Sequence, residues 1–152
     1  MQATGHRGSR DRALHAEHLR VGPLALVALG GAIGTGLRLA LTAVLPGGGP
    51  LPLAVIVINL SGAFALGWLL EALRSPEPES PTRMAARLGI GTGVLGGYTT
   101  YSAFAVGTDG LLAMSDPVPG LLLSLATVVG GIVAAWCGSR AALLLRRRER
   151  DA

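Results

Sequence analysis

A long uncharged stretch that carries its own helix breakers is the part of this sequence best suited to bind an ion. Residues 89–105, GIGTGVLGGYTTYSAFA, are apolar enough to enter a bilayer, yet their glycines and the Thr99-Thr100 pair disfavour an uninterrupted helix. In hydrocarbon an irregular backbone survives only inside protein or beside water, where its carbonyls can bind a cation and its N–H groups an anion. We predict a helix break at 96–100, and close helix packing is the alternative role for these glycines.

Two polar side chains in other apolar stretches could also contact an ion. Asn59 lies among aliphatic residues and must find a hydrogen-bond partner, which is either a neighbouring helix or an anion that its NH₂ group binds. Arg38 interrupts the apolar residues 21–45. Its side chain either snorkels to the membrane surface or lines an aqueous vestibule.

These residues belong to a chain built almost entirely of membrane-length apolar segments. Of its 152 residues 50% are hydrophobic and 14% are charged, which is typical of a small integral membrane protein. The segments 50–70, 88–108 and 117–139 contain no charge, and each can cross the roughly 30 Å of bilayer hydrocarbon. With 21–45 they predict an all-α membrane protein of four transmembrane helices, the third of them broken.

The arginines predict how the chain sits in the membrane. They occur in the N-terminal residues, in the connection between the second and third segments, and at the C-terminal end, but not in the other two connections. We therefore expect a multi-pass protein of the cell membrane. By the positive-inside rule, both of its termini face the cytoplasm. We expect a disordered basic tail (1–20), a membrane domain (21–145) and a cytoplasmic basic tail (146–152). The net charge of +4 is explained by this topology and requires no nucleic-acid partner.

Three short motifs resemble those of the Fluc/CrcB fluoride channels. The stretch 96–104, GGYTTYSAF, is similar to the family's GGxTTFSTF signature, with Tyr101 in place of a phenylalanine and Ala103 in place of a threonine. Residues 30–38 match the pattern GGxxGxxxR, and 59–64 match NxxGxF. The resemblance extends from Gly30 to about residue 138, which is nearly all of the chain outside its tails.

The resemblance implies a channel rather than an enzyme, and it assigns residues to a fluoride pathway. Asn59 is expected to donate a hydrogen bond to fluoride, and Phe104 to offer its electropositive ring edge, with Tyr101 replacing the second ring. The remaining pathway residues are the hydroxyl donors Thr100 and Ser102, Arg38 in a vestibule, and Thr127 on a polar track of the last helix.

The same resemblance implies an antiparallel dimer in the lipid membrane, with two pores and a structural sodium ion at its centre. The sodium ligands are expected to be the backbone carbonyls of Gly96 and Thr99 from both subunits, since neutral oxygens suit a hard cation. Passive fluoride efflux through such a channel lowers cytoplasmic fluoride and provides fluoride resistance.

The one-sided arginine distribution qualifies the prediction of a homodimer. An antiparallel homodimer needs a sequence that inserts in both orientations, whereas this one is strongly biased towards one. We therefore favour a heterodimer with an oppositely oriented paralogue.

Two other classes of membrane protein are alternatives to a channel. A small multidrug-type exporter also has four helices, but it needs a membrane-embedded carboxylate, and no acid lies inside the apolar segments. A non-transporting membrane scaffold is compatible with the sequence.

Overall fold

The computed structural model describes residues 21–45, 53–114 and 116–151, and all regular structure in these ranges is helical. The predicted tail 1–20 lies outside the described residues. In chain order the elements are α1 (Val21–Val44), α2 (Leu53–Ala72), α3 (Pro81–Ala86), a π-helical segment (Arg87–Leu95), α4 (Gly96–Tyr98), α5 (Tyr101–Leu112) and α6 (Val118–Asp151).

Three of these helices have the length and apolar composition needed to cross a membrane: α1, α2 and the Val118–Arg148 part of α6. Few large apolar side chains are buried between the helices. Ile58, Leu69 and Leu111 are buried, whereas Leu29 and Ile132 are each 66% exposed on the outer surface. An extensive apolar exterior of this kind is suited to lipid or to another membrane subunit. The chain is thus an all-α, multi-pass membrane protein.

Helices α2 and α6 pack through glycines that bring their backbones together. A Cβ atom on Gly67 would collide with the carbonyl oxygen of Ala135, and one on Gly138 would collide with that of Phe64. The hydroxyl of Ser139 also donates to the Gly67 carbonyl at 3.1 Å. Because lipid offers little hydrophobic drive for helix association, such small-residue contacts and interhelical hydrogen bonds hold the helices together.

The connection from α2 to the next helical region ends in a standard helix start. The Ser80 hydroxyl accepts a hydrogen bond from the Arg83 N–H at 3.3 Å, and Pro81 occupies the first helical turn. The helical region therefore begins at Pro81, seven residues before the charge-free segment 88–108.

The last helix is longer than predicted. We expected it to end at about Leu145, but α6 continues through the arginine-rich residues to Asp151. Arginine has a high helix propensity, and cations near the C-terminus of a helix interact favourably with its dipole. Residues 146–151 are therefore a helical extension.

Candidate functional site

Glycines place α1 against the backbone of the segment that precedes Thr99 and Thr100. A Cβ atom on Gly30 would collide with the Gly89 carbonyl and lie 3.0 Å from Cα of Gly93. One on Gly34 would collide with the Val94 carbonyl. The facing segment Arg87–Leu95 has π-helical winding and contains Gly89, Gly91 and Gly93, residues that weaken regular α-helix.

The adjacent residues Gly96 and Gly97 differ in whether helix packing requires a glycine. Gly97 packs against α1, because a Cβ there would collide with the Gly31 carbonyl. A Cβ on Gly96 would meet nothing within 4 Å, and Gly96 is exposed. Helix packing therefore explains Gly97 but not Gly96.

The helical backbone is interrupted at Thr99 and Thr100. Both residues are extended, with φ −74° and ψ 158° at Thr99 and φ −145° and ψ 115° at Thr100. The N–H and hydroxyl of Thr99 both donate to the Leu95 carbonyl, at 3.0 and 2.9 Å, and so close the preceding turn. The Thr100 hydroxyl accepts from the Ala103 N–H at 3.2 Å and caps the start of α5.

The Asn59 side chain joins α2 to this interruption by pairing with the main chain of Thr100. Its Nδ2 donates to the Thr100 carbonyl at 3.0 Å, and its Oδ1 accepts from the Thr100 N–H at 2.9 Å. Thr100 is 7% exposed, so without Asn59 its N–H would be buried and unpaired, whereas its carbonyl, at the N-cap of α5, also accepts the first hydrogen bond of that helix. The side-chain amide thus replaces the helical hydrogen bond that the Thr100 N–H cannot make.

The interruption leaves several carbonyl groups without the N–H donors that they would have in a continuous helix, and those of Gly96 and Thr99 are two of them. In a continuous α-helix the Gly96 carbonyl would accept from the N–H of Thr100, which instead donates to Asn59. The Thr99 carbonyl would accept from the N–H of Ala103, which instead donates to the Thr100 hydroxyl. Gly96 and Thr99, predicted as sodium ligands, are therefore among the residues whose carbonyls lose their helical donors at the interruption.

A cavity of about 370 Å³ lies beside the interruption. The polar residues of its lining are Asn59, Thr99, Thr100 and Tyr101, and Phe104 adds a second aromatic side chain. The remaining lining is small or aliphatic: Gly62, Ala63, Leu66, Gly91, Leu95 and Gly96. The cavity therefore offers a few hydrogen-bonding groups in apolar surroundings, a setting that can strip water from a small ion.

The two aromatic residues predicted for the pathway are neighbours at this cavity. The ring centroids of Tyr101 and Phe104 are 6.4 Å apart, and the rings are tilted by 48°. Tyr101 is 82% exposed, so its ring extends away from the protomer. Ser102 is exposed and within 3.3 Å of the Thr100 hydroxyl, but it does not line the cavity.

Arg38 and Thr127, also predicted for the pathway, do not line this cavity. Arg38 is half-buried on α1. The hydroxyl of Thr127 donates to the Leu123 carbonyl of its own helix at 2.7 Å, which is the usual arrangement for threonine in a membrane helix. The structure therefore places Asn59 beside the residues around Thr100, whereas Arg38 and Thr127 lie outside this cavity.

Comparison with known proteins identifies the family. Residues 25–139 match the family described as "CrcB-like protein, Camphor Resistance (CrcB)". The chain belongs to the CrcB family. It is 47% identical over 121 residues to "Fluoride-specific ion channel FluC 2" of Leifsonia xyli, covering 80% of this chain and 83% of that protein. It is also 40% identical over 112 residues to FluC 1 of Cutibacterium acnes, covering 73% and 78% of the two chains.

Family membership confirms the resemblance drawn from three separated motifs, and the structure brings these CrcB motifs together. Residues of 30–38 pack against the backbone of 89–98, and Asn59 of the second motif pairs with Thr100 of the third.

Two further polar contacts near the interruption were not predicted from the sequence. The hydroxyls of Ser61 and Tyr98 lie 2.9 Å apart, and the Thr35 hydroxyl points to the Gly97 carbonyl at 3.5 Å. Thr35 precedes Arg38 by three residues and so lies on the same side of α1. That spacing could have predicted that Thr35 faces the same surroundings as Arg38.

Proposed function

We propose that this chain is a subunit of a fluoride-specific channel through which fluoride leaves the cytoplasm passively. The observation that carries this proposal is the pairing of Asn59 with the Thr100 backbone, beside a cavity lined by Phe104. Its similarity to fluoride-specific ion channels of other bacteria supports the same conclusion. The chain then acts as a pore and not as an enzyme.

The Asn59 amide has the donor capacity to bind fluoride while it holds the backbone. An NH₂ group carries two N–H donors, and one of them satisfies the Thr100 carbonyl. The second N–H is assigned to the anion. The ring edges of Phe104 and Tyr101 carry partial positive charge, so they can replace part of the water lost when fluoride enters.

The interrupted region Pro81–Leu112 is assigned as the third transmembrane helix, broken at Thr99. Its freed carbonyls at Gly96 and Thr99 are proposed to bind a structural sodium ion. Two neutral oxygens from one protomer are too few for a hard cation, so the site needs the same two groups from a second subunit. An antiparallel dimer with the ion on its two-fold axis supplies four carbonyl oxygens and two pores.

The arginine distribution favours a heterodimer with both termini of this chain in the cytoplasm. The charged ends of α2 and α6 lie together, since Arg146 donates to the Glu71 carbonyl at 3.1 Å. Both ends therefore face the same side, as the positive-inside rule requires. A bacterium can encode two such chains: FluC 1 and FluC 2 of Rhodococcus jostii are 39% and 36% identical to this one.

The cavity lining disfavours a proton-coupled exporter. Such an exporter needs a carboxylate in its membrane-embedded site, and none of the residues that line the cavity at Asn59 is acidic.

Fluoride efflux from liposomes tests the proposal. The purified chain, alone and with a paralogue, is reconstituted with internal fluoride, and release is followed with a fluoride electrode and compared with chloride release. We expect rapid fluoride-selective release from the two-chain sample and little from the single chain. Full activity of the single chain would refute the heterodimer, and no release from either sample would refute the channel.

Phe104→Ile provides the site-specific arm of this assay. Isoleucine retains an apolar side chain but removes the electropositive ring edge, so we expect fluoride release to fall at least about tenfold. Phe64→Ile is the matched control, because Phe64 lies on the exposed surface of α2 and does not line the cavity. Equal rates for the two variants would contradict the pathway.

A further inference from the structure

A second cavity lies where the C-terminal end of α2 meets α6, away from the proposed pore. It has a volume of about 600 Å³ and is lined by Arg74, Ser75, Pro76, Leu143, Arg146 and Arg147. We call it the arginine cleft. Three of its six lining residues are cationic, and none is acidic.

The charge of the arginine cleft is only partly balanced by its surroundings. Glu71 lies 3.5 Å from a guanidinium nitrogen of Arg74, but Arg74 remains 77% exposed. Glu79, on the connection after α2, is paired with Arg87 at 2.8 Å. Glu77 lies with Arg74 around a neighbouring cavity. The three arginines therefore have two glutamates near them, Glu71 and Glu77, that Arg87 does not neutralise. Three positive charges against two negative ones leave an excess of positive charge, which favours an anionic ligand.

One of the three guanidinium groups is held in place by the protein. Arg146 donates from one nitrogen to the Glu71 carbonyl at 3.1 Å. A guanidinium has five N–H donors in a fixed planar arrangement, so this bond leaves others available. Such a group binds phosphate oxygens through paired hydrogen bonds more readily than an ammonium does.

The cleft lies at the level of lipid headgroups. The 20 residues of α2 rise about 30 Å, the thickness of bilayer hydrocarbon, so Glu71 at its end reaches the interface. On α6, Arg140 stacks over Trp136 at 5.1 Å from the ring centroid, and tryptophan is typical of this interface. Because helical side chains tilt towards the N-terminus, the guanidinium groups of Arg146 and Arg147 are directed back towards the membrane.

From this placement we infer that the arginine cleft binds the phosphate of an anionic glycerophospholipid, such as phosphatidylglycerol. The lipid phosphate bridges Arg74 at the end of α2 to Arg146 and Arg147 on α6, and thereby joins two helices at the membrane surface. Inorganic phosphate has the same oxygen chemistry, but the position beside the hydrocarbon favours a ligand that is anchored in the bilayer.

Native mass spectrometry of the full chain in a neutral detergent tests this inference. The protein is titrated with phosphatidylglycerol and, separately, with phosphatidylcholine of the same acyl chains. Each arginine near an anionic lipid contributes about fivefold in affinity, so we expect Arg147→Gln to weaken phosphatidylglycerol binding about fivefold and Arg146→Gln/Arg147→Gln about 30-fold. Binding of phosphatidylcholine should be weak and unchanged.

The control variant Arg140→Gln/Arg148→Gln removes the same charge from the same helix end but outside the cleft. It should bind phosphatidylglycerol as the unmodified chain does. Arg147→Gln keeps the bond between Arg146 and Glu71, so it tests the site even if the double variant folds poorly.

Three outcomes would overturn the inference. The first is equal affinity for the two lipids, and the second is an equal loss of binding in the control and in the cleft variants. The third is tight binding of inorganic phosphate that depends on Arg146 and Arg147 and excludes the lipid, which would assign the cleft to a free anion.

Discussion

Replacing Asn59 by aspartate tests the proposed anion pathway with the smallest change in shape. The new carboxylate can still accept the Thr100 N–H, as Oδ1 of Asn59 does at 2.9 Å. It can no longer donate to the Thr100 carbonyl, 3.0 Å away, and the loss of that bond costs about 1 kcal/mol of stability. The protein should therefore fold, but with a negative charge beside the cavity.

The effect of that charge on fluoride can be estimated from Coulomb's law. At about 4 Å and an effective dielectric constant of about 20, two negative charges repel by about 4 kcal/mol. This corresponds to roughly a thousandfold lower occupancy of fluoride beside the substituted residue. We expect the efflux rate of Asn59→Asp liposomes, measured with a fluoride electrode, to fall at least about a hundredfold.

Ser61→Asp is the charge-matched control on the same helix. Ser61 is exposed, lies two residues from Asn59 and does not line the cavity. Its variant should lose far less flux than Asn59→Asp, and size-exclusion elution should show that both variants remain folded. A folded Asn59→Asp protein with more than about a tenth of normal flux would refute the placement of the pathway. An equal loss in both variants would show that the charge acts on the whole membrane domain.

Three further predictions follow from the interruption at Thr99 and Thr100. Gly97→Ala should lower the free energy of unfolding by about 1–3 kcal/mol, because its methyl group meets the Gly31 carbonyl. Gly96→Ala should leave thermal stability nearly unchanged, since a Cβ there meets nothing. Equal melting temperatures of the two variants would contradict this prediction. Thr100→Val should cost about 1 kcal/mol through loss of the cap on α5, and Thr100→Ser should retain it; chemical denaturation distinguishes the two. Replacing sodium by N-methylglucamine should lower the melting temperature of the proposed dimer with the logarithm of the sodium concentration that remains, and a melting temperature independent of sodium would refute the cation site.

Local chemistry explains why much of the architecture was predictable. Charge-free segments of membrane length require helices, because no other open structure pairs its backbone groups in lipid. The glycines and the Thr99-Thr100 pair predicted an interruption at 96–100, and both threonines are extended in the structure. The end of α6 was misplaced because an arginine run was interpreted as the end of the membrane segment, although arginine readily continues a helix.

The composition of the helices explains why the details of the site were less predictable. Helix α2 is apolar on nearly all sides, so its pattern does not indicate which face meets another helix. Sequence reasoning therefore left two partners open for Asn59 and grouped Arg38 and Thr127 with the pathway. The structure gives Asn59 the backbone of Thr100, and neither Arg38 nor Thr127 lines the cavity.

The sequence by itself determined that this chain is an all-α membrane protein of the CrcB family, because apolar length, glycine content and the motif at 96–104 are properties of contiguous residues. Only the tertiary structure decided that Gly97 packs while Gly96 stays open, and that Asn59 takes the N–H that Gly96 would otherwise bind. Those distinctions depend on how one helix is rotated against another, and that rotation is set by contacts between residues far apart in the chain.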